Sequence, residues 1–155
     1  MSFRVQGLDA RHFMHLYGLS NGELTQFGAQ RVVADVTPGF PDRIEVRDLD
    51  PGETALLLNY EHQPADTPYR SRHAIFAREG AEQALDLIDR LPEAIRIRPI
   101  SLRAFDAVGY MLHADLQHGS RLEPLIVRFL AYPDVAYLHA HYAKRGCYAA
   151  RIVRS

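Results

Sequence analysis

The chain of 155 residues contains one cysteine, no tryptophan and one lysine among its 18 basic residues. A single cysteine excludes an internal disulfide framework. The formal net charge of −1 provides no overall field to attract nucleic acid or an anionic membrane, so we expect neither as a partner. No stretch approaches the roughly 20 apolar residues of a membrane span, and the first residues lack the apolar core of a secretory signal. The sequence therefore predicts a cytoplasmic protein.

Recognisable catalytic motifs are also missing: there is no Gly-rich phosphate loop, no paired-cysteine zinc motif and no Gly-x-Ser-x-Gly elbow. Nothing indicates a homo-oligomer, and no cofactor is identified. The hydrophobic content of 47% is enough for one core, and the length predicts a single domain over residues 1–155. The excess of arginine over lysine suits planar contacts with anions, although codon bias in a GC-rich genome is the more common cause of such an excess.

Polar groups that transfer protons or bind ligands are concentrated in residues 56–77, LLLNYEHQPADTPYRSRHAIFA. Two apolar runs enclose this segment and predict a β-hairpin. Pro64 and Pro68 stiffen the connection between the strands. The candidate ligand-binding residues of the hairpin are Asn59, Glu61, His62, Tyr69, Arg70 and His73.

The remaining pattern predicts an α+β fold, with a mostly antiparallel sheet and helices packed on one of its faces. We expect helices over residues 9–17, 20–27, 81–91 and 122–131, because apolar residues recur there at helical spacing. Further strands are predicted over 3–8, 31–36, 43–47, 101–106 and 108–116. Residues 92–99 fit either a short helical turn or an edge strand.

The segment VAYLHAHYAKRGCYAARIV near the end of the chain predicts a second hairpin with one apolar and one polar face. Strict alternation places His139 and His141 on the polar face, and after the turn it places Cys147 there as well. If neighbouring strands share this face, it also carries residues from the first hairpin. The full predicted set is Asn59, Glu61, Arg103, Tyr137, His139, His141, Cys147 and Arg151.

Three chemistries fit this face. His139 and His141 could bind a metal if Glu61, His62 or His73 supplied a third ligand, but buried histidines that are simply hydrogen-bonded are commoner. Cys147 could act as a nucleophile with one of the two histidines as its base, whereas a lone cysteine is more often a small buried hydrophobe. Arginines such as Arg103 could bind a carboxylate or phosphate, or could pair with acidic residues in a structural network.

Three segments, NYEHQPADTPYRSRHAIF, SLRAFD and AYLHAHYAKRGCYAAR, together resemble the bacterial "domain of unknown function 1203" family across nearly the whole chain. The resemblance implies a small single-domain bacterial protein and carries no catalytic residue with it. Our functional prediction is therefore a pocket for a small polar or anionic molecule, formed by the first hairpin and residues 139–147. The alternative is an enzyme that uses His139 and His141 with Cys147 or with a metal.

Overall fold

The structure, a computed structural model, describes all 155 residues and consists mainly of β-strands. The strands are β1 (Phe3–Gln6), β2 (Gln30–Val33), β3 (Thr54–Gln63), β4 (Ser71–Arg78), β5 (Asp86–Ile88), β6 (Pro99–Phe105), β7 (Met111–His118), β8 (Tyr137–Tyr142) and β9 (Cys147–Arg154). The helices are α1 (Asn21–Gln26), α2 (Glu93–Arg96) and α3 (Leu122–Leu130). Three short 3-10 turns cover Ala10–His12, Met14–Leu16 and Gly119–Arg121. No helix is long and apolar enough to cross a membrane.

Two antiparallel sheets organise the strands. Six strands form one sheet in the order β5-β1-β9-β8-β6-β7, and the other sheet has the order β2-β3-β4. Every strand pair is antiparallel, which confirms the predicted sheet type. Both predicted hairpins are present, as β3–β4 and β8–β9.

The main core lies on the face of the six-stranded sheet that α2 and α3 cover. It joins Leu102, Leu138 and Ile152 of the sheet to Ile95 of α2 and Ile126 of α3, all of them completely buried. A fully buried Leu or Ile side chain stabilises the fold by about 1.5–3 kcal/mol. This shared burial explains why the apolar spacing of residues 122–131 correctly predicted α3.

The three-stranded sheet has separate small clusters, and α1 belongs to one of these. Leu24 of α1 packs with Leu16 and Leu56, and Ser20 closes a capping box with Glu23 at the start of the helix. The helices are thus divided between the two sheets. The prediction that they all cover one face of one sheet is not confirmed.

The predicted helix over residues 81–91 is wrong. Within this range Asp86–Ile88 forms the edge strand β5, which pairs with β1. Asp89 has φ of 55°, outside the right-handed helical region, and its carboxylate accepts the Phe3 N–H at 2.9 Å. Of the apolar residues that suggested a helix, Ala81 and Leu91 are buried, whereas Ile88 is 49% exposed. Helical spacing of apolar residues therefore does not correspond to one buried face in this segment.

Two shorter predictions also need correction. Residues 9–17 form two 3-10 turns instead of one helix. The segment 43–47 is not a strand but an irregular connection held by two isolated bridges, Pro41 to Asp48 and Asp42 to Phe76. Residues 92–99 contain α2, the helical one of the two expected forms.

Candidate functional site

A β-bulge in the β8–β9 hairpin decides which side chains share a face. Ala140 pairs with Ala150, but the next two pairs are His141 with Tyr148 and Tyr142 with Cys147. One extra residue, Ala149, therefore lies in β9 between these pairs. Strict alternation fails at this point. Tyr148 lies on the face of His141, and Cys147 lies on the opposite face beside Tyr142.

The first candidate site is a histidine cluster, which we define as His62, His139 and His141. The ring centroids of His62 and His141 are 5.0 Å apart, and His139 is 6.3 Å from each of them. Tyr148 stacks on His62 at 5.4 Å. The cluster joins the two sheets, because His62 comes from β3 and the other two histidines from β8.

Hydrogen bonding in the histidine cluster is incomplete. Nδ1 of His141 is 2.9 Å from the Gly146 carbonyl oxygen. Because a carbonyl only accepts, Nδ1 carries the proton and Nε2 keeps a lone pair. Nδ1 of His62 and Nδ1 of His139 are buried without any partner. Two of the three imidazoles therefore retain an unsatisfied ring nitrogen.

Burial keeps the three imidazoles neutral. It lowers the pKa of His62 to about 4, that of His141 to about 3 and that of His139 to about 2. The neighbouring histidines and Arg103 lower these pKa values further. Neutral imidazoles are metal ligands, yet no three His, Cys, Asp or Glu side chains of the chain are arranged to hold a metal ion. The geometry gives the metal alternative no support.

Three other predicted residues lie on the same face as the histidine cluster. Arg103 is the cross-strand partner of His139, and its guanidinium donates to Ser101 Oγ at 3.2 Å. Tyr137 stacks on Phe105 at 5.3 Å and carries the guanidinium of Arg151 over its ring at 4.7 Å. Gln63 Nε2 donates to the Tyr137 hydroxyl at 2.9 Å. This face is thus a packed aromatic and polar layer.

Four other predicted residues of the first hairpin make contacts that do not include the histidine cluster. Arg70 Nε is 3.2 Å from a carboxylate oxygen of Glu61, and Arg72 donates to Asn59 Oδ1 at 2.6 Å. Tyr69 is exposed and meets Tyr110 edge-on, with a centroid distance of 6.1 Å. Asn59, Glu61, Tyr69 and Arg70 therefore form surface contacts of their own and are not brought together with His139 and His141.

The second candidate site is a cavity of about 470 Å³ at the turn end of the β8–β9 hairpin. Strands β3 and β4 form one wall, and the opposite wall comes from the residues around the turn. The cavity has no acidic residue in its lining. Of the predicted residues only His73 and Cys147 line it. The full lining is Gly39, Pro41, Arg43, Leu57, His73, Ala74, Ile75, Phe76, Arg98, Pro99, Tyr142, Lys144, Arg145 and Cys147.

Arg43 is the central charge of this cavity and is only 1% exposed. Its Nε donates to the Tyr148 carbonyl at 2.6 Å, Nη1 donates to the Pro41 carbonyl, and Nη2 is 3.0 Å from Cys147 Sγ. No carboxylate lies within ion-pair distance of it. A buried cation without a counter-ion is costly, and Arg43 was not among the predicted site residues. Nothing in its local sequence distinguishes it from a surface arginine.

Tyr142 and the remaining cations complete the cavity. The Tyr142 ring lies under two guanidinium groups, Arg43 at 4.9 Å and Arg98 at 5.1 Å. Its hydroxyl is buried without a partner, and burial raises its pKa to about 12. The carboxylate of Asp48 neutralises the charge of Arg98, whose two Nη atoms donate to its oxygens at 2.6 and 2.8 Å. Lys144 and Arg145 are exposed at the rim and have no ion pair.

Together these features define an α+β domain with two antiparallel sheets, a neutral histidine cluster and a cation-lined cavity. The sequence model of the DUF1203 family, whose description is "protein of unknown function", matches residues 39–154. The chain belongs to this family, as its three sequence segments indicated. No curated protein and no solved structure shows significant similarity to it.

Proposed function

We propose that the protein binds a small organic anion, a carboxylate or a phosphate, in the cavity beside Arg43. The observation that carries this proposal is the buried guanidinium of Arg43, which faces a cavity and has no carboxylate partner. An arginine presents five N–H groups, and the protein uses three of them on Pro41, Tyr148 and Cys147. Two N–H groups of Arg43 therefore remain as hydrogen-bond donors for an oxyanion.

The surroundings of Arg43 favour the same class of ligand. Lys144 and Arg145 add positive charge at the rim, and no acidic side chain opposes them in the lining. Such a cavity concentrates anions electrostatically. The unpartnered Tyr142 hydroxyl offers one more hydrogen bond to a ligand oxygen.

The apolar part of the lining determines what kind of body the ligand carries besides its acidic group. Leu57, Ile75 and Phe76 form a wall of the cavity, and the cavity volume falls in the range of small-molecule sites. A compact apolar or aromatic body with one acidic group therefore fits better than an inorganic ion. The proposed pocket lies between the first hairpin and the β8–β9 turn, on the opposite face of β8 from His139 and His141.

The proposal is tested by thermal unfolding with benzoate, phenyl phosphate and the neutral analogue benzamide at constant ionic strength. A bound anion raises the unfolding free energy by about 2.7 kcal/mol at a hundredfold excess over its Kd. We expect the two anions to stabilise the protein and benzamide to have little effect. Equal effects of benzoate and benzamide would contradict the proposed anion recognition. So would a panel of small carboxylates and phosphates without a single stabilising member.

Matched double variants locate the binding site. K144Q/R145Q removes two exposed, unpaired charges at the rim of the cavity, whereas R90Q/R121Q removes two exposed, unpaired charges from a different groove. The first variant should weaken benzoate binding by about tenfold, since nearby charges act on the ligand directly, and the second should change it little. Equal losses in both variants would mean that the cavity is not the site. If the ligand is recovered chemically unchanged after incubation with the protein, this result favours binding over turnover.

A further inference from the structure

We propose that Cys147 is a nucleophile that forms a covalent bond with an anion held in the cavity. The substrate class is a small carboxylate or phosphate that carries an electrophilic carbon next to its acidic group. This inference rests on the proposed anion binding and adds a chemical step to it. The expected partnership of Cys147 with His139 or His141 is not part of it, because the bulge places the cysteine on the other face of the hairpin.

Accessibility is the first requirement. Cys147 is 7% exposed and belongs to the lining of the cavity, so the proposed route to the sulfur is through the cavity. Cys147 is also the only cysteine of the chain, which makes any thiol modification unambiguous.

Arg43 links the sulfur to the anion. Its Nη2 lies 3.0 Å from Sγ, and the carbonyl groups of Pro41 and Tyr148 hold the guanidinium in place. An oxyanion bound to the remaining N–H groups of Arg43 brings its neighbouring carbon close to Sγ. Holding two reacting groups at such a distance accelerates their reaction. Arg43 is in this scheme a positioning residue.

Tyr142 provides an observation that is independent of the cysteine and of the charges. Tyr142 is 4% exposed and lines the cavity, and its buried hydroxyl has no hydrogen-bond partner. Buried polar atoms in native proteins are nearly always satisfied. A ligand oxygen in the cavity would satisfy this one, which points to an occupant beside Cys147.

The reaction is a simple displacement. The sulfur lone pair attacks the electrophilic carbon, a carbon–sulfur bond forms, and the bond from carbon to the leaving group breaks. The leaving group departs with its electron pair, and the thiol hydrogen passes to solvent as a proton. With iodoacetate as the probe, the products are carboxymethyl-Cys147, iodide and a proton. Iodoacetamide undergoes the same step at the same kind of carbon but carries no charge.

The experiment compares the rates of alkylation by iodoacetate and iodoacetamide, followed by intact mass. The quantity of interest is the iodoacetate rate divided by the iodoacetamide rate, measured for the native protein and for the same chain unfolded in urea. Thiol ionisation and steric exclusion affect both reagents and largely cancel in this ratio. We expect the native ratio to exceed the unfolded ratio by at least about tenfold, because only the native cavity concentrates anions.

Two variants and one competitor complete the test. K144Q/R145Q should move the native ratio toward that of the unfolded chain, and R90Q/R121Q should leave it high. Benzoate should slow alkylation by both reagents. A native ratio equal to the unfolded ratio, or labelling of Cys147 only after unfolding, would overturn the proposal.

The covalent step and anion binding can fail separately. C147S should still be stabilised by benzoate, since Arg43 and Tyr142 remain. If benzoate stabilises both proteins while the alkylation ratio shows no preference for iodoacetate, the covalent inference is wrong and anion binding stands. If benzoate stabilises neither protein and the ratio shows no preference, both proposals are wrong.

Discussion

Lowering the pH from about 7.5 to about 5 should destabilise the folded protein through His139 and His141. Burial lowers the pKa of both imidazoles from 6.5, to about 2 and about 3 respectively. The unfolded chain therefore takes up two protons near pH 6.5 that the folded protein does not bind. Because the unfolded state binds more protons, stability falls as the pH falls.

The magnitude follows from proton linkage. Each proton difference contributes about 1.36 kcal/mol per pH unit, so two protons over about 1.5 units below pH 6.5 amount to about 4 kcal/mol. His62, whose pKa is lowered to about 4, acts in the same direction. It is more exposed than the other two, and the figure of 4 kcal/mol leaves it out. A loss of this size is a large part of the 5–15 kcal/mol typical of a domain.

The histidines and the acidic residues change the stability of the fold in different pH ranges. Ion pairs with arginine lower the pKa of Glu53 and of Glu79 to about 2. The stability that these carboxylates contribute is lost only as the pH falls below about 4.5, the ordinary pKa of a glutamate. Between about pH 5 and pH 6.5 the histidine cluster should therefore dominate the slope.

Urea unfolding at a series of pH values measures this slope directly. H139F should reduce it by about one proton, or about 1.4 kcal/mol per pH unit, and removes a buried nitrogen that has no partner. H15Q, at an exposed ring, controls for the loss of a histidine in general. A wild-type slope below one proton in this window, or an unchanged slope in H139F, would refute the view that the cluster is buried and neutral.

Two further predictions concern the scaffold around the sites, and urea unfolding measures both. G109A should destabilise by about 2 kcal/mol or more, because Gly109 has φ of 103° and its added Cβ would lie 2.3 Å from Ala65 Cβ. An effect below about 0.5 kcal/mol would contradict this close contact between hairpins. S20A should cost about 1 kcal/mol by removing the capping box of α1, and an unchanged unfolding midpoint would show that the cap contributes nothing.

Local patterns in the sequence predicted the elements that local interactions determine. The capping box at Ser20 and the apolar stripe of residues 122–130 each specify a helix within a few turns. The β8–β9 hairpin likewise follows from two short runs around one turn. Residues 81–91 carried a similar apolar stripe but form an edge strand against β1. The paired residues are 80 or more positions apart in the chain, and local periodicity does not report such a distant pairing.

The candidate sites depended on such distant pairings even more. Alternation correctly grouped Tyr137, His139 and His141, and β3 brings His62 to them. Arg43, by contrast, reaches Cys147 across 104 positions from an irregular segment. Its neighbours in sequence do not distinguish it from the surface arginines. A buried arginine in a connection is thus visible only once the sheets are assembled.

The bulge at Ala149 also explains why one hairpin carries two different chemistries. Without the extra residue, Cys147 would lie with His139 and His141, where a neutral imidazole could take its proton. With it, Tyr148 occupies that place and stacks on His62, while Cys147 faces the cavity and Arg43. The Tyr148 carbonyl then accepts from Arg43, so the residue that packs on the histidine cluster also holds the guanidinium at the cavity.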